Sequence, residues 1–241
     1  MGGRGSWKYG GGGVTLPPPS PSQTKVGSSN KSNELGVMIR GKGLAGTLDN
    51  FRRVVADSSV EYSMVVDNDG NIIGNIYRGG RHSTQVDVTA AFKNPNSRMV
   101  HNHPDPNFGG TFSTADLQVH SNTGAHGMEA TAKEGTYLMR RTANTDYAGF
   151  GRAYNKAAPV LDAEWRSKWA KISSKKKFKT QQARDTAERQ VFVGVYHRWL
   201  KDNASKYGLQ YTFAKGRGLA ASSSVKINKT YKDWLDENRD Y

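Results

Sequence analysis

His101-Asn102-His103-Pro104, followed by Ser113-Thr114-Ala115-Asp116, constrains this chain more than any other stretch. In an extended strand, side chains alternate between faces, so His101 and His103 present both imidazoles to one side of a sheet. Pro104 cannot donate to a strand ladder and closes the strand. Ser113 is placed to N-cap a short helix carrying Asp116 in its first turn. Two imidazoles and one carboxylate, with a fourth position left to water, are the donors of a catalytic zinc site rather than a structural one.

The 241 residues include no cysteine, which excludes disulfides and thiolate zinc fingers and leaves His and carboxylates as metal ligands. Hydrophobic residues make up 35% and the mean hydropathy is −0.73, so part of the chain is expected to stay outside any core. No stretch approaches the length of a transmembrane helix, and the N-terminus lacks the apolar run of a secretion signal. The expectation is a cytoplasmic protein with no membrane partner.

Three regions follow from composition. Residues 1–33, with Gly10 to Gly13 and Pro17-Pro18-Pro19-Ser20-Pro21, read as a disordered leader. Residues 34–147 read as the metal-binding domain, and residues 148–241 as a basic, mainly helical region. Within the middle region, Leu35 to Arg40 is expected as a short strand and Leu48 to Ala56 as a helix. Glu61 to Val66 and Ile72 to Tyr77 flank Asp67-Asn68-Asp69-Gly70, the signature of an antiparallel hairpin. Residues 85–92 are a strand or a short helix. Ser97 to His103 is the histidine strand, with Met99 on the histidine side and Val100 on the other. Ser113 to Asn122 is a helix, and Met128 to Thr131 with Thr136 to Arg140 is a second hairpin. Such an order makes an α+β fold: a mixed sheet with flanking helices.

Two further motifs lead elsewhere. Gly41-Lys42-Gly43-Leu44-Ala45-Gly46 fits G-x-G-x-x-G ahead of a helix, but a hairpin follows where a dinucleotide fold needs a parallel crossover. Asp67 and Asp69 have calcium-ligand spacing, yet Ile72 and Arg78 stand where an EF-hand needs Gly and Glu, so a turn accounts for them. His120, four residues beyond Asp116, falls on about the same helical face and reads as an ordinary exposed or hydrogen-bonded histidine.

The H-x-H-P…S-x-x-D pattern resembles the JAMM (MPN) metallopeptidase signature, in the His-Asn-His-Pro form of its RadC-like and phage- or toxin-associated branches. The resemblance covers roughly residues 45–145. It implies a JAMM/cytidine-deaminase-like α+β fold in which His101, His103 and Asp116 bind Zn2+ and Ser113 helps to hold an oxyanion. It also implies an upstream glutamate as general base, for which Glu61, at the head of an apolar run, is the candidate. The implied activity is hydrolysis of an amide or isopeptide bond in a protein or peptide. Nine residues separate His103 from Ser113, against the pattern's roughly seven, and the Gly109-Gly110 loop would absorb the difference as a bulge.

Charge opens other functional classes. Residues 151–241 carry 20 Lys and Arg against 9 Asp and Glu, much of the formal +14 of the whole chain. Such a region attracts polyanions, nucleic acid among them, although a solvated lysine-rich face has the same composition. The alternative function is a RadC-like nucleic-acid-associated protein, or a phage or mobile-element effector or structural component with a degenerate metal site. A phage-encoded chain would act in the host cytoplasm.

Overall fold

The computed structural model describes residues 36–81, 84–104, 109–215 and 218, with the backbone of residues 24–26. The fold is α+β. Six strands, β2 (Tyr62–Val66), β3 (Ile72–Arg78), β4 (Arg98–Asn102), β5 (Gly127–Thr131), β6 (Gly135–Arg141) and β7 (Leu209–Lys215), make an open sheet, and a short strand β1 (Thr24–Val26) lies on its edge. The order is β1-β3-β2-β4-β5-β6-β7. Only β4 and β5 run parallel; every other neighbour is antiparallel. The helices are α1 (Gly43–Val54), α2 (Val88–Lys93), α3 (Thr114–Thr123), α4 (Tyr147–Ser173) and α5 (Gln181–Asn203).

Strand alternation separates two cores. Met64, Val66, Val100 and Ile76 face α1, whose Leu48 and Phe51 cover them together with Ile39. Val65, Met99, Met128, Ala130, Tyr137 and Met139 face the other way. They share a larger cluster with Leu117 of α3, Phe150 and Leu161 of α4, and Val195 and Leu200 of α5. His101 lies on this second face, two residues beyond Met99, as the period of two requires.

Packing runs across the compositional boundary at residue 148. The α4–α5 hairpin belongs to the same cluster as the sheet, and β7 pairs with β6 over the whole of β6. β7 is a strand that the expectation of a mainly helical region did not include. The Leu209-Gln210-Tyr211-Thr212-Phe213 alternation is strand-like, with Leu209 and Tyr211 buried and Gln210 and Thr212 exposed.

Two other expectations change. Residues 36–39 form a helical turn rather than a strand, closed by Arg40 N–H donating to Gly36 O at 3.1 Å. The edge of β3 is instead taken by β1, from inside the segment expected to be a disordered leader. The rest of that leader, His82 and the terminal helix expected near residues 231–235 lie outside the described residues.

The glycine pattern at 41–46 serves packing. A Cβ on Gly41 would come within 2.3 Å of the Gly46 carbonyl carbon, and one on Gly70 within 2.4 Å of that of Gly43. Only glycines let the start of α1 close onto the hairpin turn. Asp67 stabilises that turn, accepting from Asp69 N–H at 2.9 Å and Asn71 N–H at 2.8 Å. Its acidic residues are turn residues, as the sequence implies.

Candidate metal centre

β4 and β5 end together, and the site lies at those C-terminal ends. The hydrogen bond from His103 N–H to Thr131 O, 2.8 Å, extends the parallel ladder one residue past β4. His101 and His103 are both buried, with ring nitrogens Nε2 and Nε2 3.1 Å apart. Asp116 enters from the first turn of α3, with Oδ1 3.4 Å from His101 Nε2 and Oδ2 4.0 Å from His103 Nε2. One ligand atom from each of the three lies within 4.8 Å of the others. The longer loop after His103 therefore does not keep Asp116 away.

These separations suit a single cation. Tetrahedral ligands about 2.0–2.1 Å from zinc lie about 3.3 Å from one another, close to the spacings seen here. The electrostatics agree. Burial opposes a charge on His101, but the Asp116 carboxylate outweighs it and raises the His101 pKa. Burial and the neighbouring His101 charge lower His103 to about 4. Asp116 is held well below the usual carboxylate range by His101, against the cost of its burial. Asp116 thus favours a proton on His101, while burial and His101 disfavour one on His103.

Ser113 is the N-cap of α3 in a reciprocal capping box. Its Oγ accepts from Asp116 N–H at 3.2 Å and donates to Asp116 Oδ2 at 2.8 Å, while its own N–H donates to Oδ2 at 2.7 Å. A hydroxyl has one proton to give, and here Asp116 takes it. Ser113 orients the carboxylate; the oxyanion part implied by the resemblance would require that bond to break.

Glu61 lies one residue before β2 rather than inside it, tied by Glu61 N–H to Gly80 O and Gly79 N–H to Glu61 O, both 2.8 Å. Ser63 pairs with His101, so Glu61, two residues earlier, continues on the histidine face. Its carboxyl is buried and feels the charges of His101, Asp116 and Arg189. Burial, the largest influence, pushes its pKa up to about 8.

Sequence reasoning passed over several residues. Asn102, between the histidines and fully buried, uses its side chain where the β2–β4 ladder stops. Its Oδ1 accepts from Tyr62 N–H at 2.6 Å and its Nδ2 donates to Val60 O at 3.2 Å, fastening both sides of Glu61 to the histidine strand. The H-x-H spacing leaves one residue in this position, so its place was visible although its bonds were not. Glu134, in the β5–β6 turn, and Arg189, on α5, reach the loop residues Gly109 and Gly110. No local pattern marks either.

His120 stands apart from the centre. It is fully buried, its Nε2 lies 3.0 Å from Ala125 O, and its Nδ1 meets Tyr147 Oη. It is hydrogen-bonded, as expected, but not exposed. His197 is likewise buried, with Nδ1 2.7 Å from Tyr211 Oη. Among the described residues no helix is long and apolar enough to cross a membrane. Comparison of the chain with protein families, with curated proteins and with solved structures gives no match.

Proposed function

We propose that the chain is a zinc-dependent metallopeptidase or isopeptidase of the JAMM type, with His101, His103 and Asp116 as ligands. The observation carrying this reading is the convergence of two imidazole nitrogens and a carboxylate at zinc-like spacing, facing a buried glutamate that shares their field. The same donors serve nonhaem iron in other proteins, and the neighbouring Glu61 is what favours hydrolysis over redox chemistry. When bound, zinc lowers the pKa of water towards neutrality and polarises the substrate carbonyl.

The remaining work falls to the chain. Beside a cation held by these ligands, Glu61 would be ionised. Its carboxylate then accepts a proton from the attacking water and delivers it to the leaving amine. Ser113 and the α3 N-terminus hold Asp116 as an anion. Burial of both histidines keeps bulk water from competing for their nitrogens. The substrate in this reading is a protein or peptide amide.

Elemental analysis of purified protein beside a His101→Ala/His103→Ala variant tests the proposal. About one zinc per chain, lost in the double variant, supports it; absence of zinc after supplementation overturns it.

A second reading concerns partners. Residues 165–184, the end of the α4–α5 hairpin, carry eight Lys and Arg and no Asp or Glu, all eight exposed. This favours a polyanion, and nucleic acid is the proposed partner at that end. Trp165 and Trp169 are buried among Phe192 and Phe178, so they are core residues rather than stacking platforms. Binding to duplex DNA that weakens steeply with salt supports this reading; weak, salt-insensitive binding removes it.

A further inference from the structure

His103 is held from behind. Its Nδ1 lies 2.8 Å from the carbonyl oxygen of Gly110. A carbonyl only accepts, so Nδ1 carries the proton and Nε2 keeps its lone pair for the centre. Where the Gly110 carbonyl sits therefore decides which way the ring presents that lone pair.

Two distant elements hold this stretch of loop. In the peptide joining Gly109 to Gly110, the N–H donates to Glu134 Oε1 at 2.7 Å. Its carbonyl accepts from both Nε, at 3.1 Å, and Nη2 of Arg189, 80 residues further along the chain. One peptide dipole is thus gripped between a carboxylate and a guanidinium, the charge-assisted arrangement at each end. Gly109 N–H adds a bond to Glu134 Oε2 at 3.1 Å, and the Tyr137 hydroxyl donates to Oε1 at 3.1 Å. Thr111, next in the chain, has its hydroxyl 2.6 Å from that of Tyr211 on β7.

The approach is close enough to require glycine. A Cβ on Gly109 would fall 2.7 Å from the His103 Cβ and 2.6 Å from that of Ala132, and Gly110 has φ +95°.

We propose that Arg189 and Glu134 are positioning residues of the metal centre, acting through the Gly109–Gly110 peptide to set the tautomer and ring direction of His103. The proposal rests on the reading of His103 as a ligand. It gives the basic C-terminal region a part in building the site: α5 supplies a residue that the centre needs. It also accounts for the long His103–Ser113 connection, whose last residues are clamped from outside instead of being held by a short loop.

The test uses the full-length chain and the variants Arg189→Gln, Arg189→Lys and Glu134→Gln. In the metal-free protein at pH 7.5, long-range proton–nitrogen NMR reads each imidazole tautomer. The expected result is an Nδ1–H tautomer at His103 in the parent chain, and a mixture or the Nε2–H form in Arg189→Gln and Glu134→Gln. The His120 signal, whose partners Ala125 and Tyr147 lie outside this loop, should stay unchanged, which separates loss of positioning from loss of fold. Zinc affinity, by competition with a chromogenic chelator, should fall roughly 10- to 100-fold in both variants and recover in part in Arg189→Lys. A His103 signature unchanged in both folded variants overturns the proposal, whatever the zinc affinity. A parent chain that binds no zinc, with the tautomer shift still seen in the two variants, refutes the metal reading and leaves the positioning of His103 standing.

Discussion

Among the described residues, four buried histidines divide into two kinds. At the end of β4, His101 and His103 turn nitrogen towards nitrogen at 3.1 Å, with a carboxylate beside them. In the interior, His120 has Nε2 on the Ala125 carbonyl and Nδ1 on the Tyr147 hydroxyl, and His197 meets the Tyr211 hydroxyl. Burial is alike in the two groups; the partner of the ring nitrogen is not. Each core histidine meets groups that a neutral imidazole satisfies. The β4 pair meets another imidazole and an anion, donors that a proton or a metal cation could bridge. A buried histidine is therefore read by what its nitrogens face, not by how deeply it lies.

If the β4 site has the proposed function, the largest effect is expected there. Glu61→Gln keeps a carboxamide of the same shape and leaves the ligands in place. It should retain about one zinc per chain while turnover on a peptide substrate falls roughly 10²–10⁴-fold, the usual worth of a proton-transfer group. Turnover near the parent value would mean that another group moves the proton.

His120→Phe probes the structural side. It removes two buried hydrogen bonds, those of the ring nitrogens to Ala125 O and to the Tyr147 hydroxyl, which should cost about 1–3 kcal/mol in urea unfolding. Zinc stoichiometry should be untouched. Loss of zinc with little loss of stability would reverse the division drawn here.

The pH dependence of stability extends the same test. Burial first, then the Arg141 charge, lowers His120 to about 3; burial, then Lys201, lowers His197 to about 3. Both are depressed below the unfolded value near 6.5, so the unfolded chain binds more protons between about pH 6.5 and 3. Their contribution is complete above pH 6.5 and is lost as pH falls through that window. The slope should reach at most about 1.4 kcal/mol per pH unit for each histidine. Denaturant unfolding of metal-free protein should be less steeply pH-dependent in His197→Gln than in the parent; an equal slope would show that His197 is not held neutral.

The smallest effect belongs to Ser113→Ala. Loss of the cap should cost about 1 kcal/mol, with zinc binding weakened as Asp116 loses one anchor. Ser113→Thr should restore both, because the cap needs only the hydroxyl. Turnover lost with unchanged zinc affinity would instead return Ser113 to the oxyanion role.

Much of the fold was legible because it is local. The Asp67–Gly70 turn, the cap at Ser113 and the second hairpin each rest on contacts a few residues apart. Residues 36–39 misread as a strand because a short apolar run takes its form from what lies beside it, and β1 already holds the β3 edge. β7 was hidden among helices for the same reason: its partner β6 lies far back in the chain.

The site divides along the same line. By itself the sequence determined that His101 and His103 share a face, that Pro104 ends their strand and that Asp116 opens a helix, since alternation and capping depend on neighbours in the chain. Only the tertiary structure decided that Asp116 meets the histidines across the loop and that Asn102 fastens Glu61 beside them. It alone brought Glu134 and Arg189 to one peptide behind His103. Those contacts join residues far apart in the chain, and a hydrogen bond of about 3 Å leaves no periodic trace in the residues between its ends.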